Sequence, residues 1–527
     1  MRLVLGRLGV YLPAAVGLAL PTLFIPTAED SFILPRASIV IGGACLGLGL
    51  GLLAPGAPGL GRLRWPLVGA ASAAILAFVF SISWPLSFAG SYTRYESLPV
   101  RLAYLGLFAM AVWLLRERRP RDWVVNTLVL GTAVACLEAI AQWAGHVPFR
   151  PDGNLGNANL LAALIAMAFP LAIARGFRGG RLMVAWWLGA AVMAGGLLTT
   201  TSRSGGLGAL AGCLALVVFS LRGRVAAAAA IASTVAIAAA LVVIVLSPLH
   251  VLNDDPAQLR IHLWQDGIHM IQARPLTGWG EDTTGLAFGH FLSGDWSPGV
   301  TFDRLHSGPL DVASTQGLVG LVAAGLLLVI LFRGAWRTRF SGDVGALAAA
   351  CVAYSVWVLF NFDWAPATGA FWLLAGTAWA GIRAAGAQQD TSGASMSSWS
   401  NEPRVWRSGA AVLLALVAVG LAGLPLIADV WYLQGRADLS VRIDPLQARY
   451  HWALGQTLVA QGSVARGVEE MQLAADLGET EPGLYVELGD REAQLGRVAQ
   501  ARQAYRRALE IDPFYAPAAQ RLAGTGA

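Results

Sequence analysis

About thirteen times along this chain, a run of roughly twenty apolar residues is followed by a short polar break. A bilayer's hydrocarbon core takes about 20 helical residues to cross. Inside it each backbone N–H and C=O must find a partner within the protein, which an uninterrupted helix supplies by itself. The pattern therefore predicts an all-α, polytopic membrane helical bundle of about 12–13 spans. They fall near 8–28, 37–54, 66–84, 98–115, 123–143, 157–174, 182–200, 205–221, 225–246, 309–331, 343–362, 366–383 and 408–428. The first run is as apolar as a signal peptide, but spans continue after it, so a retained helix is expected. Charged residues make up 13% of the chain, against about 25% in soluble domains.

The arginines order these spans. The chain holds no lysine, which excludes a lysine-dependent phosphate loop and a Schiff-base lysine. Its net charge of +5 comes from arginines at span ends and is no sign of nucleic-acid binding. With a cytoplasmic amino terminus, alternate connections carry Arg62 and Arg64; Arg116 to Arg121; Arg175 to Arg181; Arg222 and Arg224; and Arg333 to Arg339. The opposite short connections hold only Arg36, Arg94, Arg101, Arg150 and Arg203. The positive-inside bias then places the latter set, the long loop 247–308 and the carboxy-terminal tail outside, which in a bacterial inner membrane means the periplasm. The four cysteines lie singly in predicted spans, where they read as small buried hydrophobes.

Between Ser247 and Gly308 the chain turns polar for some sixty residues. Four stretches stand out on the same side. Gly153-Asn154-Leu155-Gly156-Asn157 reads as a turn with an Asn cap for the next helix. Thr200-Thr201-Ser202-Arg203 is a tight connection whose arginine either snorkels to water or holds an anion. From Arg260, the positions Ile261, Trp264, Ile268 and Ile271 form an apolar stripe, predicting an amphipathic surface helix that ends at Pro275. His306, just before Pro309 and a helix start, lies at the membrane–water boundary, either structural or reactive.

Residues 385–407 form a polar linker of small residues on the cytoplasmic side, followed by a last span at 408–430. The tail at 431–527 repeats every 34 residues: Leu454-Gly455 recurs as Leu488-Gly489, and Ala474 as Ala508. These positions resemble the tetratricopeptide repeat, a helix pair that buries its face by stacking on neighbours, and imply a docking surface or a packing appendage.

Taken in order, the four stretches resemble the O-antigen ligase and O-antigen polymerase superfamily. Its members carry a Gly-Asn turn before a span and an arginine in a Ser-Arg turn between spans. They also carry a large periplasmic loop with Arg and Pro-Leu-Thr-Gly-X-Gly, and a closing His-Ser-X9-Gly-X-X-Gly, here His306 to Gly320. Gly90-Ser-Tyr-Thr-Arg94-Tyr95-Glu96 is similar to a further stretch of some members. The resemblance implies transfer of a glycan from an undecaprenyl-diphosphate carrier to an acceptor hydroxyl, with inversion and without a metal or other cofactor. It implies His306 as the base and Arg203 and Arg260 as the diphosphate clamp, with Arg94, Asn157, Arg274, Arg304 and Asp266 as substrate contacts. Glu281 and Asp282 stand in reserve. The acceptor is a glycan, lipid A-core or a protein, as in the related polymerases and O-linked oligosaccharyltransferases; the tail offers a surface for an envelope protein. Two other classes fit a many-span chain: a polysaccharide transporter or flippase, and a non-catalytic scaffold displaying its tail.

Overall fold

A computed structural model describes residues 9–54, 59–246, 257–389 and 404–525, all of whose regular structure is helical. Each expected span coincides with a helix. They are α1 Leu12–Thr22, α2 Ile33–Leu53, α3 Arg64–Val79, then a short α4 Trp84–Ala89, α5 Leu98–Leu114, α6 Arg118–Ala144, α7 Ala158–Phe177, α8 Met183–Thr200, α9 Arg203–Ser220 and α10 Gly223–Leu246. Among the described residues, nine helices are long and apolar enough to cross a membrane, and three further apolar helices are shorter. The 257–307 segment follows with α11 Ala257–Ala273 and α12 Thr284–Ala287, then α13 Gly308–Thr338, α14 Val344–Trp357 and α15 Ala365–Gln389. The last span is α16 Arg404–Ala418 continued through a π-helical turn, Val419–Gly423, into α17 Leu424–Leu433. His250 and residues 390–403 of the linker lie outside the described residues.

With apolar lipid around them, helices gain little from hydrophobicity alone and associate where small residues let backbones approach. A Cβ on Gly208 would sit 2.9 Å from the Ala353 carbonyl oxygen, and one on Gly376 2.5 Å from that of Phe108. So α9 lies against α14, and α15 against α5, at the centre of the bundle. α7, α14 and α15 are mostly buried and rich in alanine, whereas α10 is exposed almost all round.

The connections segregate to two ends. At one, Arg175 bonds to both Asp122 and Asp343, at 2.6 and 2.7 Å, and Arg178 pairs with Asp343. This is the arginine-rich end. At the other lie 23–32, 80–97, 145–157, 200–202, 257–307 and 358–364, tied by bonds such as Arg36 to the Asn154 carbonyl (2.9 Å) and Trp364 to that of Thr93 (3.2 Å).

The tail packs on this second end. Its helices are α18 Ala437–Ile443, α19 Ala448–Ala460, α20 Val464–Leu477, α21 Pro482–Gln494, α22 Val498–Ile511 and α23 Ala516–Gly524. The starts of α19, α21 and α23 are spaced 34 residues apart, as are those of α20 and α22. Gly455 and Gly489 let the paired helices close on Met471 and Tyr505. Leu86 and Leu286 of the membrane part enter the tail's apolar core beside Met471 and Leu484. Asp429 pins the junction, accepting from the Asp30 backbone N–H (2.8 Å), Tyr92 (2.8 Å) and Tyr450 (3.0 Å).

Candidate functional site

Backbone strain marks one end of the bundle. Among the described residues, the non-glycine residues with positive φ are Thr93, Tyr95, His146, Asn154, Thr201, Asp282 and His306, all in the connections of the second end. Such residues cost free energy and persist where surrounding structure over-determines them, as in active sites.

Part of that structure is an interlock between the loop and a broken span. α13 was expected to run unbroken through 309–331; instead it breaks at Gly317 (φ 70°, ψ −174°). The break leaves the Ser314 and Thr315 carbonyls without helical partners, and the N–H groups of Trp279 (2.9 Å) and Gly280 (3.0 Å) fill them. Leu318 N–H returns a bond to the Pro275 carbonyl at 2.8 Å. A Cβ on Gly317 would lie 2.1 Å from the Leu276 oxygen, and one on Gly278 2.4 Å from that of Thr315. The glycines of Pro275-Leu-Thr-Gly-Trp-Gly280 and of the His306 motif thus serve one backbone contact.

The interlock delivers Glu281 into a buried lattice of charges. Glu281 accepts from Arg101 at 3.1 Å and from Gln316 at 2.6 Å. Arg101 also pairs with Asp363, and stands 3.9 Å from Glu96, which in turn accepts from Tyr104 at 2.5 Å. Arg304 pairs with Asp282, and Arg94 with Asp303 at 2.6 Å. Burial pushes the Glu96 carboxyl up to about 7, with Asp363 adding to the rise and Arg101 opposing it. Burial likewise raises Glu281 against the pull of Arg101. In Arg304, burial works against the charge, and Asp282 and Asp303 outweigh it.

Around the 358–364 segment two of the predicted catalytic residues, Arg260 and His306, come together. Arg260, in the first turn of α11, donates to the Phe360 carbonyl at 2.6 Å. His306 meets Phe362 edge to face, with ring centroids 5.2 Å apart. Arg94 lies over both Phe362 and Trp364, at 5.0 and 4.7 Å. Trp264 ties α11 to the same corner by donating to the Leu305 carbonyl at 2.9 Å.

Arg203 heads α9, after Ser202, whose hydroxyl accepts from the Gly205 N–H at 3.2 Å. Since α9 lies antiparallel to α14, which leads into 358–364, Arg203 comes to the same end of the bundle. Ser202 also donates to Asn159 at 2.8 Å, and Arg150 donates to the Thr200 carbonyl at 2.7 Å. Asn157 caps α7 through the Asn159 N–H at 2.8 Å.

Three expected substrate contacts are committed inside the protein. Asp266, 1% exposed, accepts from the backbone N–H and hydroxyl of Ser293 and from the Trp296 indole, fixing the 293–296 turn. Arg304 and Arg94 sit in the ion pairs above. Arg274 lies over Trp279 at 4.5 Å and donates to the Phe80 carbonyl at 3.3 Å, away from 358–364. In α11, Leu263 and Met270 are buried against the protein, and Ile261 and Ile268 of the apolar stripe are 46% and 45% exposed.

Arg101, Asp363, Phe362 and Trp364 were not singled out from the sequence. A signal was present: Asp363 lies in a short aromatic connection at the same end, and Arg101 is an arginine one turn inside a span, which requires an internal partner.

Residues 188–325 match the O-antigen ligase family. No curated protein matches the chain. The matched region runs from α8 to the second half of α13. It therefore contains the Arg203 turn, α11, His306 and the Gly317 break. The match supports an O-antigen-ligase-like membrane protein, a glycosyltransferase type of enzyme with a lipid-linked glycan as substrate.

Proposed function

We propose that this chain transfers a glycan from undecaprenyl diphosphate to an acceptor hydroxyl at the second end of the bundle. That end faces the periplasm of a bacterial inner membrane. The observation that carries the reading is the convergence of Arg260 and His306, both within the family-matched residues 188–325, on residues 360–362. The family resemblance assigns the diphosphate to Arg203, at the head of α9, and Arg260, in the first turn of α11. A guanidinium binds phosphate oxygens bidentately and keeps its charge, so it stabilises a leaving diphosphate without a metal. The acceptor oxygen attacks the anomeric carbon as the bond to the diphosphate breaks, inverting that carbon. His306 takes the hydroxyl proton, and undecaprenyl diphosphate leaves with the bonding electrons.

The test is turnover of a labelled undecaprenyl-diphosphate oligosaccharide by purified protein. His306→Ala should lose about 10²–10⁴-fold in rate. Arg203→Ala and Arg260→Ala should lose turnover while remaining inserted. A His306→Ala enzyme at wild-type rate would remove the base, and unchanged rates in both arginine variants would remove the clamp. If glycan never leaves the lipid, the transfer reading fails. The helical tail, tetratricopeptide-like in its period, covers the site end and favours an acceptor that reaches the site past a protein surface: a glycan or a protein.

A further inference from the structure

Between the tail and the 257–307 segment lies a cleft of about 570 Å³, within the roughly 300–1,000 Å³ range of ligand sites. Three stretches far apart in sequence form it: Ser81–Pro85, Trp279 with Leu286–Phe291, and Ala475–Gly478 with Arg507. They are locked together. Gly289 fits against the Glu510 and Ile511 carbonyls, where a Cβ would come to 2.3 Å, and left-handed Gly478 fits against Ser83 at 2.8 Å. Ile82 N–H donates to the Trp279 carbonyl at 3.1 Å. Trp279 itself is fixed by its indole N–H on the Met270 carbonyl at 3.0 Å. The cleft is thus a built junction with little left to reorganise on binding.

We propose that this cleft is an oligosaccharide subsite. Sugars present apolar C–H faces edged with hydroxyls. The faces suit aromatic rings, whose electron-rich surfaces attract C–H groups, and the hydroxyls suit paired donors and acceptors. Trp84, Trp279 and Phe291 supply the rings; His290, Asp476 and Arg507 supply the polar edge. One cation beside one anion gives no preference for a phosphate, and the charged edge argues against an acyl chain. The inner wall leads to the lattice: Gly280 packs on Ser81 and Ser87, and the next residue, Glu281, meets Arg101. A glycan with its reacting end near His306 would have its next sugars pass along this wall. The inference rests on the glycan-transfer reading, and its test separates the two.

Trp84 and Asp476 are exposed and lie outside the charge lattice, so Trp84→Ala and Asp476→Ala should fold, as thermal unfolding will verify. Full-length protein in nanodiscs is first measured for binding of free oligosaccharides of hexoses and N-acetylhexosamines. Wild type should bind, and each variant should bind about tenfold more weakly. This assay needs no turnover, so it stands even if transfer fails. Turnover then locates the glycan's source. If the cleft holds donor sugars, the variants lose kcat/KM on long lipid-linked glycans and keep it on a monosaccharide donor. If it holds the acceptor glycan, acceptor KM rises with every donor. Equal oligosaccharide binding by wild type and variants, or none by wild type, overturns the proposal. A Trp84→Ala protein that only inserts less well, with binding unchanged, would show Trp84 to be an interfacial anchor and overturn it too.

Discussion

Replacing Gly317 by alanine should disable the molecule through its backbone. The residue's φ and ψ of 70° and −174° fall in a region that is nearly glycine-only, worth about 1–3 kcal/mol of strain for another residue. The added Cβ would also stand 2.1 Å from the Leu276 oxygen, far inside contact distance. The chain must therefore separate 275–280 from α13, breaking the bonds from Trp279, Gly280 and Leu318. At about 0.5–1.5 kcal/mol each, their loss alone is on the order of 2–4 kcal/mol. It also frees Gln316 from Glu281. Gly325 in the same helix has open space around its Cβ position, so Gly325→Ala is the control. Thermal unfolding in detergent or nanodiscs should drop by several degrees for Gly317→Ala and hold for Gly325→Ala, with transfer lost in the first alone. Equal melting and equal turnover in the two variants would refute the interlock and leave the motif glycine unexplained.

Removing Arg101 should strand buried carboxylates: Arg101→Met is expected to cost roughly 3–5 kcal/mol. Arg101→Met with Glu281→Gln should cost less than the two singly. A single-variant loss under about 1 kcal/mol would show the pair to be solvated. Glu96 sets a pH dependence. Its folded pKa of about 7 lies above the ordinary 4.5, so the folded state holds the extra proton. Its contribution to stability is full below about 4.5 and falls as pH rises through 7. Melting temperature should decline across that window, and Glu96→Gln should flatten the decline; an unaltered slope rejects the assignment. Asp429→Asn should weaken the junction where Asp30, Tyr92 and Tyr450 meet, read as faster proteolytic release of the tail. Asp266→Ala should raise KM or lower stability through the 293–296 turn while leaving the chemistry intact; loss of turnover in a fully stable variant would instead give Asp266 a direct role.

What the sequence disclosed followed physical range. Spans are set by the local length and apolarity of one stretch, so each of the expected segments is a helix. Caps are local as well, and Asn157 caps α7 as read. The break at Gly317 depends on a backbone forty residues upstream, and hydropathy does not register it because both halves of the helix are apolar. Charge pairing was the least legible. Arg94, Arg101 and Arg304 look alike in a sequence, and only tertiary structure shows which carboxylate each one meets.

That pairing also divides labour among the arginines. The lattice sets Arg94, Arg101 and Arg304 against Glu96, Glu281, Asp282, Asp303 and Asp363. A diphosphate brought into that lattice would compete with the carboxylates already bonded to those guanidinium groups, in surroundings where charges are weakly screened. Under the proposed transfer the diphosphate is therefore expected at Arg203 and Arg260, the two arginines that the family resemblance assigns to it.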